Sequence, residues 1–169
     1  MATEVISLAE ARSRDPDLSA AKAGQPSPIR TVLLATDLTE ASVVATAQAI
    51  DLVASIGARL LVVNVIDPGH PGGGPIGPYE SVVRVDQQRA SREAPLLDII
   101  ERARTRGVAA NYLLWTGEPG QSIVAAAEAE EADLIVVGTR GLDRTGRFLL
   151  GSISDYVVYH SSCPVLVAH

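Results

Sequence analysis

The chain has one lysine, Lys22, and it lies in the N-terminal stretch. That excludes a Walker-type phosphate loop, whose Gly-Lys-Ser/Thr needs a lysine inside the folded part. It also has one cysteine, Cys163, which excludes an internal disulfide and a cysteine-rich zinc site and suits a reducing cytoplasm. Cys163 stands just before Pro164 and an apolar run, a setting for a small buried thiol rather than a nucleophile. The three histidines, His70, His160 and His169, show no ligand spacing and read as surface or helix-face residues. No apolar run approaches the roughly 20 residues of a membrane span. The N-terminus lacks the basic flank and apolar core of a secretory signal. Basic residues are in deficit: Lys+Arg 14 against Asp+Glu 20 gives a net charge of -6. A general nucleic-acid or anionic-membrane surface is therefore disfavoured. The expectation is a soluble, cytoplasmic protein.

What is present is apolar and regularly punctuated. With 169 residues, 47% of them apolar, the chain suffices for one domain that buries about two-thirds of its unfolded surface. Residues 1–29 mix charges with Pro16, Gly24, Pro26 and Pro28 and read as a mobile tail or an interaction arm, with a short helix around Val5 to Ala11. Residues 30–169 form the domain. Thr31 to Thr36, Leu60 to Ile66, Ala110 to Trp115, Asp133 to Val137 and Pro164 to Ala168 are short, nearly continuous apolar runs, as strands buried on both faces are. Between them, helices are expected over about Glu40 to Ile56, Glu80 to Arg106, Pro119 to Glu130 and Ser152 to Val158. Pro95 should kink the second of these or start a new segment. Asp37 followed by Glu40 has the form of a helix-capping signature. Alternating strands and helices with right-handed crossovers predict a Rossmann-like α/β fold: an open parallel five-stranded sheet, strand order 3-2-1-4-5, helices on both faces.

Two glycine-rich stretches compete for attention. Gly72, Gly74 and Gly77 satisfy the G-x-G-x-x-G pattern, but Pro68, Pro71, Pro75 and Pro78 remove amide donors and hold that segment extended. It reads as a mobile loop, a lid beside the site, and not as a dinucleotide fingerprint. Gly138-Thr139-Arg140-Gly141, then nine residues, then Gly151-Ser152, is different. It leaves a strand and enters a helix, so its glycines let backbone amides approach a ligand and its helix N-terminus offers unpaired N–H groups. Arg140, Arg144 and Arg147 against Asp143 reverse the local sign of an acidic chain, which favours an anion. The competing reading is a glycine-containing loop with solvated arginines. In open sheets the ligand lies beyond the strand ends where the order reverses, here between the first and fourth strands. That topology brings Asp37 and Gly138 to one crevice. A carboxylate can accept both hydroxyls of a ribose, while amides at Gly151 and Ser152 hold phosphate; alternatively Asp37 is a plain helix cap.

These residues resemble the universal stress protein family over about Arg30 to His169. The carriers are Ala35-Thr36-Asp37, Asn64-Val65-Ile66-Asp67, Gly138-Thr139-Arg140-Gly141, Gly151-Ser152 and Cys163-Pro164-Val165-Leu166-Val167. The glycine spacing resembles that of the family's ATP-binding branch. The resemblance implies ATP in the crevice, its base near the backbone of Val65 and Asp37 on the ribose or base side. Thr36, Val137 and Ile153 would line the same space. Gly138, Arg140 and Gly141 would follow the ribose and first phosphate, and Gly151, Ser152 and Ser154 the outer phosphates. Mg2+ would bridge the phosphates, since no dedicated protein cage is visible. Two features depart from the family pattern: Asp143 inside the loop, and the Pro/Gly-rich segment after Asp67.

The resemblance implies a regulatory ATP-binding module of the stress response that acts through an unidentified protein partner. An ATP hydrolase or nucleotidyl-transfer enzyme is the alternative, with Glu118 its one weak candidate base. The Ser-Gly-Gly-x-Asp-Ser loop of related enzymes is absent, and binding is preferred over turnover, with no catalytic residue assigned. A sensor of another adenine nucleotide, such as cyclic AMP, is a further alternative. The last strand, Pro164 to Ala168, is apolar and unguarded by charge. The resemblance implies that it pairs antiparallel with its copy in a homodimer; an edge covered by the N-terminal tail is the alternative.

Overall fold

The computed structural model describes residues 29–68, 78–139 and 151–168, with the side chains of 78–84 excepted. The expected tail therefore lies outside the described residues up to residue 28. So do His70, His169, the rejected glycine pattern, and the loop holding Arg140, Gly141, Asp143, Arg144 and Arg147.

In chain order the elements are β1 (Thr31–Ala35), a 3-10 turn (Glu40–Ser42), α1 (Val43–Ile56), β2 (Arg59–Ile66), α2 (Pro78–Thr105), β3 (Ala110–Thr116), α3 (Pro119–Ala129), β4 (Leu134–Gly138), α4 (Ser152–His160) and β5 (Val165–Ala168). The strands form one sheet in the order β3-β2-β1-β4-β5, all neighbours parallel. The order and strand count match the sequence expectation, and boundaries differ by one or two residues.

The continuous apolar runs are explained by two cores. Val32, Leu34, Leu60, Val62, Leu134 and Val136 point to one face and pack with residues of α1 and α2. Leu33, Leu61, Val63, Ile135 and Val137 point to the other and pack with residues of α3 and α4. A strand alternates its side chains between faces, so burial of both faces demands an apolar residue at every position. The chain places α1 and α2 on one face, then crosses after β3 to place α3 and α4 on the opposite face. This reversal opens the crevice between the carboxyl ends of β1 and β4.

At two points the structure decides between local alternatives. Helix α2 runs through Pro95 as a single element and does not restart there. Both Pro95 and Ser91, whose carbonyl loses its donor, lie on the exposed side, so water can serve that carbonyl. Leu96, Ile99, Ile100 and Ala103 meanwhile bury the adjoining face of the helix in the core. Asp37 does not cap α1: the residue before the 3-10 turn is Thr39 and the residue before α1 is Ser42. Instead, Oδ1 of Asp37 accepts from the backbone N–H of Thr39 (3.0 Å) and from its hydroxyl (2.6 Å), a local Asx turn.

At the opposite end of the sheet, Asp133 ties β4 to the start of β1. Its Oδ2 accepts from the backbone N–H of Arg30 (2.8 Å) and of Thr31 (2.9 Å). Those two backbone donors hold its carboxyl below the usual 3.8. Cys163 is half-buried beside the second core, as a small thiol. Its Sγ lies 3.5 Å from the Ser161 hydroxyl.

Candidate functional site

Beyond the ends of β1, β2 and β4 lies an open cavity of about 270 Å³. Its floor comes from residues far apart in sequence. Thr36 and Asp37 follow β1, Val65 and Asp67 close β2, Val137 and Gly138 end β4, and Gly151, Ile153 and Ser154 open α4. Eight of the eleven residues expected to bind the ligand thus meet in one place, because the parallel pairing of Ala35 with Val137 sets the ends of β1 and β4 side by side. Ser152 is exposed and lies outside this lining. Arg140 and Gly141 lie outside the described residues.

The β1 side is held by a short polar network. The Thr36 hydroxyl donates to Oγ of Ser42 (3.0 Å), and Ser42 donates onward to the carbonyl of Thr39 (2.8 Å). The backbone N–H of Leu38 donates to Thr36 Oγ1 (3.1 Å). Leu38 itself has φ 62, a left-handed conformation that a leucine adopts at a cost and that the surrounding hydrogen bonds must impose. The strain sits directly after Asp37, and Thr39, Ala41 and Ser42 beyond it also line the cavity.

The α4 side presents backbone. Gly151 precedes the helix in an extended conformation, with no side chain capping the first turn. The leading N–H groups of a helix have no partner within it, and they carry the positive end of its dipole. Ser154 is buried, and its hydroxyl donates to the carbonyl of Gly151 (2.9 Å). Its proton is therefore engaged inside the helix, and what remains toward the cavity is an acceptor oxygen. Opposite, the nearest described atom to a Cβ added to Gly138 would be Cβ of Ala45, at 3.4 Å. Packing among the described residues thus barely requires glycine there, while Gly138 lines the cavity.

The β2 side holds residues to which the sequence reading gave no role: Asn64, quoted only within a family motif, and Arg92 and Gln88. Asn64 is fully buried, and its Nδ2 donates to the carbonyl of Thr36 (2.7 Å). Its Oδ1 accepts from Nη1 of Arg92 (2.6 Å), which also donates to the carbonyl of Val65 (2.9 Å). Nη2 of Arg92 donates to Oε1 of Gln88 at 3.4 Å. Arg92 and Gln88 belong to α2 and line the cavity. Their charge pattern in sequence is that of an ordinary solvated helix face, so nothing there announced them. Asn64 did carry a signal: a lone amide in an otherwise apolar strand.

Glu118, the candidate base, is engaged elsewhere. It caps α3, accepting from the backbone N–H of Gly120 (3.2 Å) and of Gln121 (2.8 Å). Among the described residues no cluster of three His, Cys, Asp or Glu is placed to hold a metal, and no helix is long and apolar enough to cross a membrane.

An open parallel sheet with a crevice where the strand order reverses is the architecture of doubly wound α/β proteins that bind ligands at that point. The model of the universal stress protein family matches residues 28–169. A universal stress protein of Thermus aquaticus is 38% identical over 146 residues, covering 82% of this chain and 97% of its own length. A solved structure from the same family of Burkholderia pseudomallei is 28% identical with TM-score 0.68, covering 84% of this chain and 97% of that one. A universal stress protein solved in complex with cAMP is 28% identical with TM-score 0.64, over 85% of this chain and 98% of its own. The chain belongs to the universal stress protein family.

Proposed function

We propose that this protein is an adenine-nucleotide-binding module of the ATP-binding branch, regulatory and not enzymatic, working in the cytoplasm as a homodimer. The observation that carries the reading is the convergence of Asp37, Gly138 and the first turn of α4 on one cavity. The donor set fits the ligand. Unpaired helix amides suit phosphate, and a carboxylate at the end of β1 suits ribose hydroxyls. The backbone of Val65 suits the polar edge of a base. Gly138 leaves room that packing does not otherwise demand. Arg140 and Gly141, by their place in the glycine motif, would follow the ribose and first phosphate, and Ser152 would add its amide and hydroxyl to the outer phosphates. Mg2+ would be carried on the phosphates. Occupancy would order the site and be read by a partner protein.

Binding is favoured over turnover because Glu118 is already committed as a helix cap. Cyclic AMP is a second reading, supported by the relative solved in complex with it. Calorimetric titration against ATP, ADP, AMP and cyclic AMP, with and without Mg2+, tests the reading; saturable binding with ATP tightest is the expected result. Absence of heat with all four would overturn it, and a preference for cyclic AMP would move it to the second reading. For the dimer, the support is the outer edge of β5, where Leu166 is exposed and apolar. Sedimentation of the full chain as a monomer at micromolar concentration would remove it.

A further inference from the structure

Thr39 stands before the 3-10 turn with the extended backbone of a helix cap, φ -83 and ψ 164, yet its side chain makes no capping bond. A threonine in that position ordinarily turns its oxygen forward to an amide of the first turn. Here the hydroxyl turns back and donates to Oδ1 of Asp37 at 2.6 Å, and the Thr39 N–H donates to the same oxygen at 3.0 Å. Asp37 and Thr39 are both exposed, and both line the cavity. Thr39 is anchored from behind. Its carbonyl accepts from the N–H (3.0 Å) and the hydroxyl (2.8 Å) of Ser42, and the Ser42 Oγ accepts from the Thr36 hydroxyl. Ser42 and Thr36 are buried, so a chain of hydrogen bonds runs from the core out to the carboxylate.

We propose that Thr39 is a positioning residue that makes the site selective for ribonucleotides, by orienting Asp37 toward the 2′-hydroxyl of the bound sugar. This inference rests on the nucleotide reading above. A carboxylate offers about four lone-pair sites, and Thr39 takes two of them, both on Oδ1. An exposed aspartate would otherwise rotate among several rotamers; two donors on one oxygen select one orientation, and with it the direction in which Oδ2 accepts. The Thr39 hydroxyl spends its proton on Asp37, so toward the cavity its oxygen can only accept. A sugar hydroxyl brings the donor that such a pair of acceptors requires, as when an acidic side chain holds the ribose of a dinucleotide. A 2′-deoxy sugar brings none, and hydrogen bonds to a charged group are the stronger kind.

Calorimetry on the full chain with ATP and 2′-deoxy-ATP tests this, the readout being the ratio of their dissociation constants. The wild type should prefer ATP about tenfold. Thr39→Val removes the hydroxyl but keeps the backbone N–H, and the preference should fall to about threefold or less. That fall should come from weaker ATP binding, with 2′-deoxy-ATP unchanged. Thr39→Ser should restore the wild-type ratio, and Thr39→Ala replaces the valine variant if that one melts. In Asp37→Ala the ratio should be near one, and adding Thr39→Val should change nothing further, because Thr39 acts through Asp37. Three results would each overturn the role of Thr39 while leaving the nucleotide site intact: a wild-type ratio near one, a valine variant that weakens both nucleotides equally, or a Thr39→Val effect as large without Asp37 as with it. Failure of the wild type to bind either nucleotide defeats the nucleotide reading itself, and this inference with it.

Discussion

Asn64→Leu is a stringent test of how the crevice is built. Asn64 has no exposed surface, and leucine approximates its shape without its amide. The change removes the donor to the Thr36 carbonyl at 2.7 Å and the acceptor that Arg92 uses at 2.6 Å. Thr36 is itself only 7% exposed, so water cannot readily replace the lost donor. One buried carbonyl left unsatisfied costs about 1–3 kcal/mol, and Arg92 keeps its bond to Val65, so its own loss is smaller. Better apolar burial of leucine offsets part of this, by about 1 kcal/mol. The net expectation is a loss of about 2 kcal/mol, or roughly 4–8 °C in melting temperature for a domain of this size. Urea unfolding followed by tryptophan fluorescence, through Trp115 in β3, measures it. The midpoint should fall with the slope unchanged, because the same surface is exposed on unfolding. Combined with Arg92→Met, the two losses should be less than additive, since both break the same bond. Strict additivity, or a loss below about 0.5 kcal/mol, a size ordinary for surface substitutions, would show that the hydrogen-bond chain contributes little.

Further outcomes follow from other contacts. A Cβ on Gly120 would lie 2.7 Å from Cδ1 and 3.1 Å from Cβ of Tyr156, so Gly120→Ala should force α3 and α4 apart. It should cost about 1–2 kcal/mol in a denaturant melt, despite alanine's better helix propensity; an unchanged or raised midpoint would show that the tyrosine simply moves. Gly138→Ala, by contrast, meets among the described residues only Ala45, at 3.4 Å. It should change stability by less than about 1 kcal/mol while weakening nucleotide binding at least about tenfold, and a parallel loss of both would refute the distinction. Asp133 has its folded pKa depressed below 3.8 by the amides of Arg30 and Thr31. Its contribution to stability is therefore complete above about pH 4 and disappears as pH falls through the lowered folded value. Asp133→Asn should be less stable than wild type at pH 7 and converge with it in acid. A stability difference that stays constant from pH 7 to pH 2 contradicts that account.

The depressed Asp133, just before β4, and the raised Tyr112, within β3, show how differently two positions on the sheet are tuned. Burial, with Glu93 nearby adding its charge and a long hydrogen bond, pushes the Tyr112 hydroxyl above 10.0. Any stability it confers is therefore present below pH 10 and fades as pH rises past it.

Residue order alone determined the sheet. Runs such as Leu60 to Ile66 have apolar residues at nearly every position, and such runs are stable only between two layers of helices. Turn residues such as Gly57, whose φ of 72 ends α1, mark where each layer stops. From the strand order it also followed that Asp37 and Gly138 must be neighbours, because crossover handedness leaves few other topologies. Tertiary structure decided what surrounds them. Pro95 is tolerated inside α2 because it and Ser91 are exposed where the helix packs on the sheet. Asp37 accepts from Thr39 and does not cap α1, which begins only at Val43 after an intervening 3-10 turn. Arg92 reaches the end of β2 only because α2 lies across that strand, which brings together residues 28 positions apart. Backbone periodicity is written in neighbouring residues, whereas the partners of a long charged side chain are set by how distant elements pack.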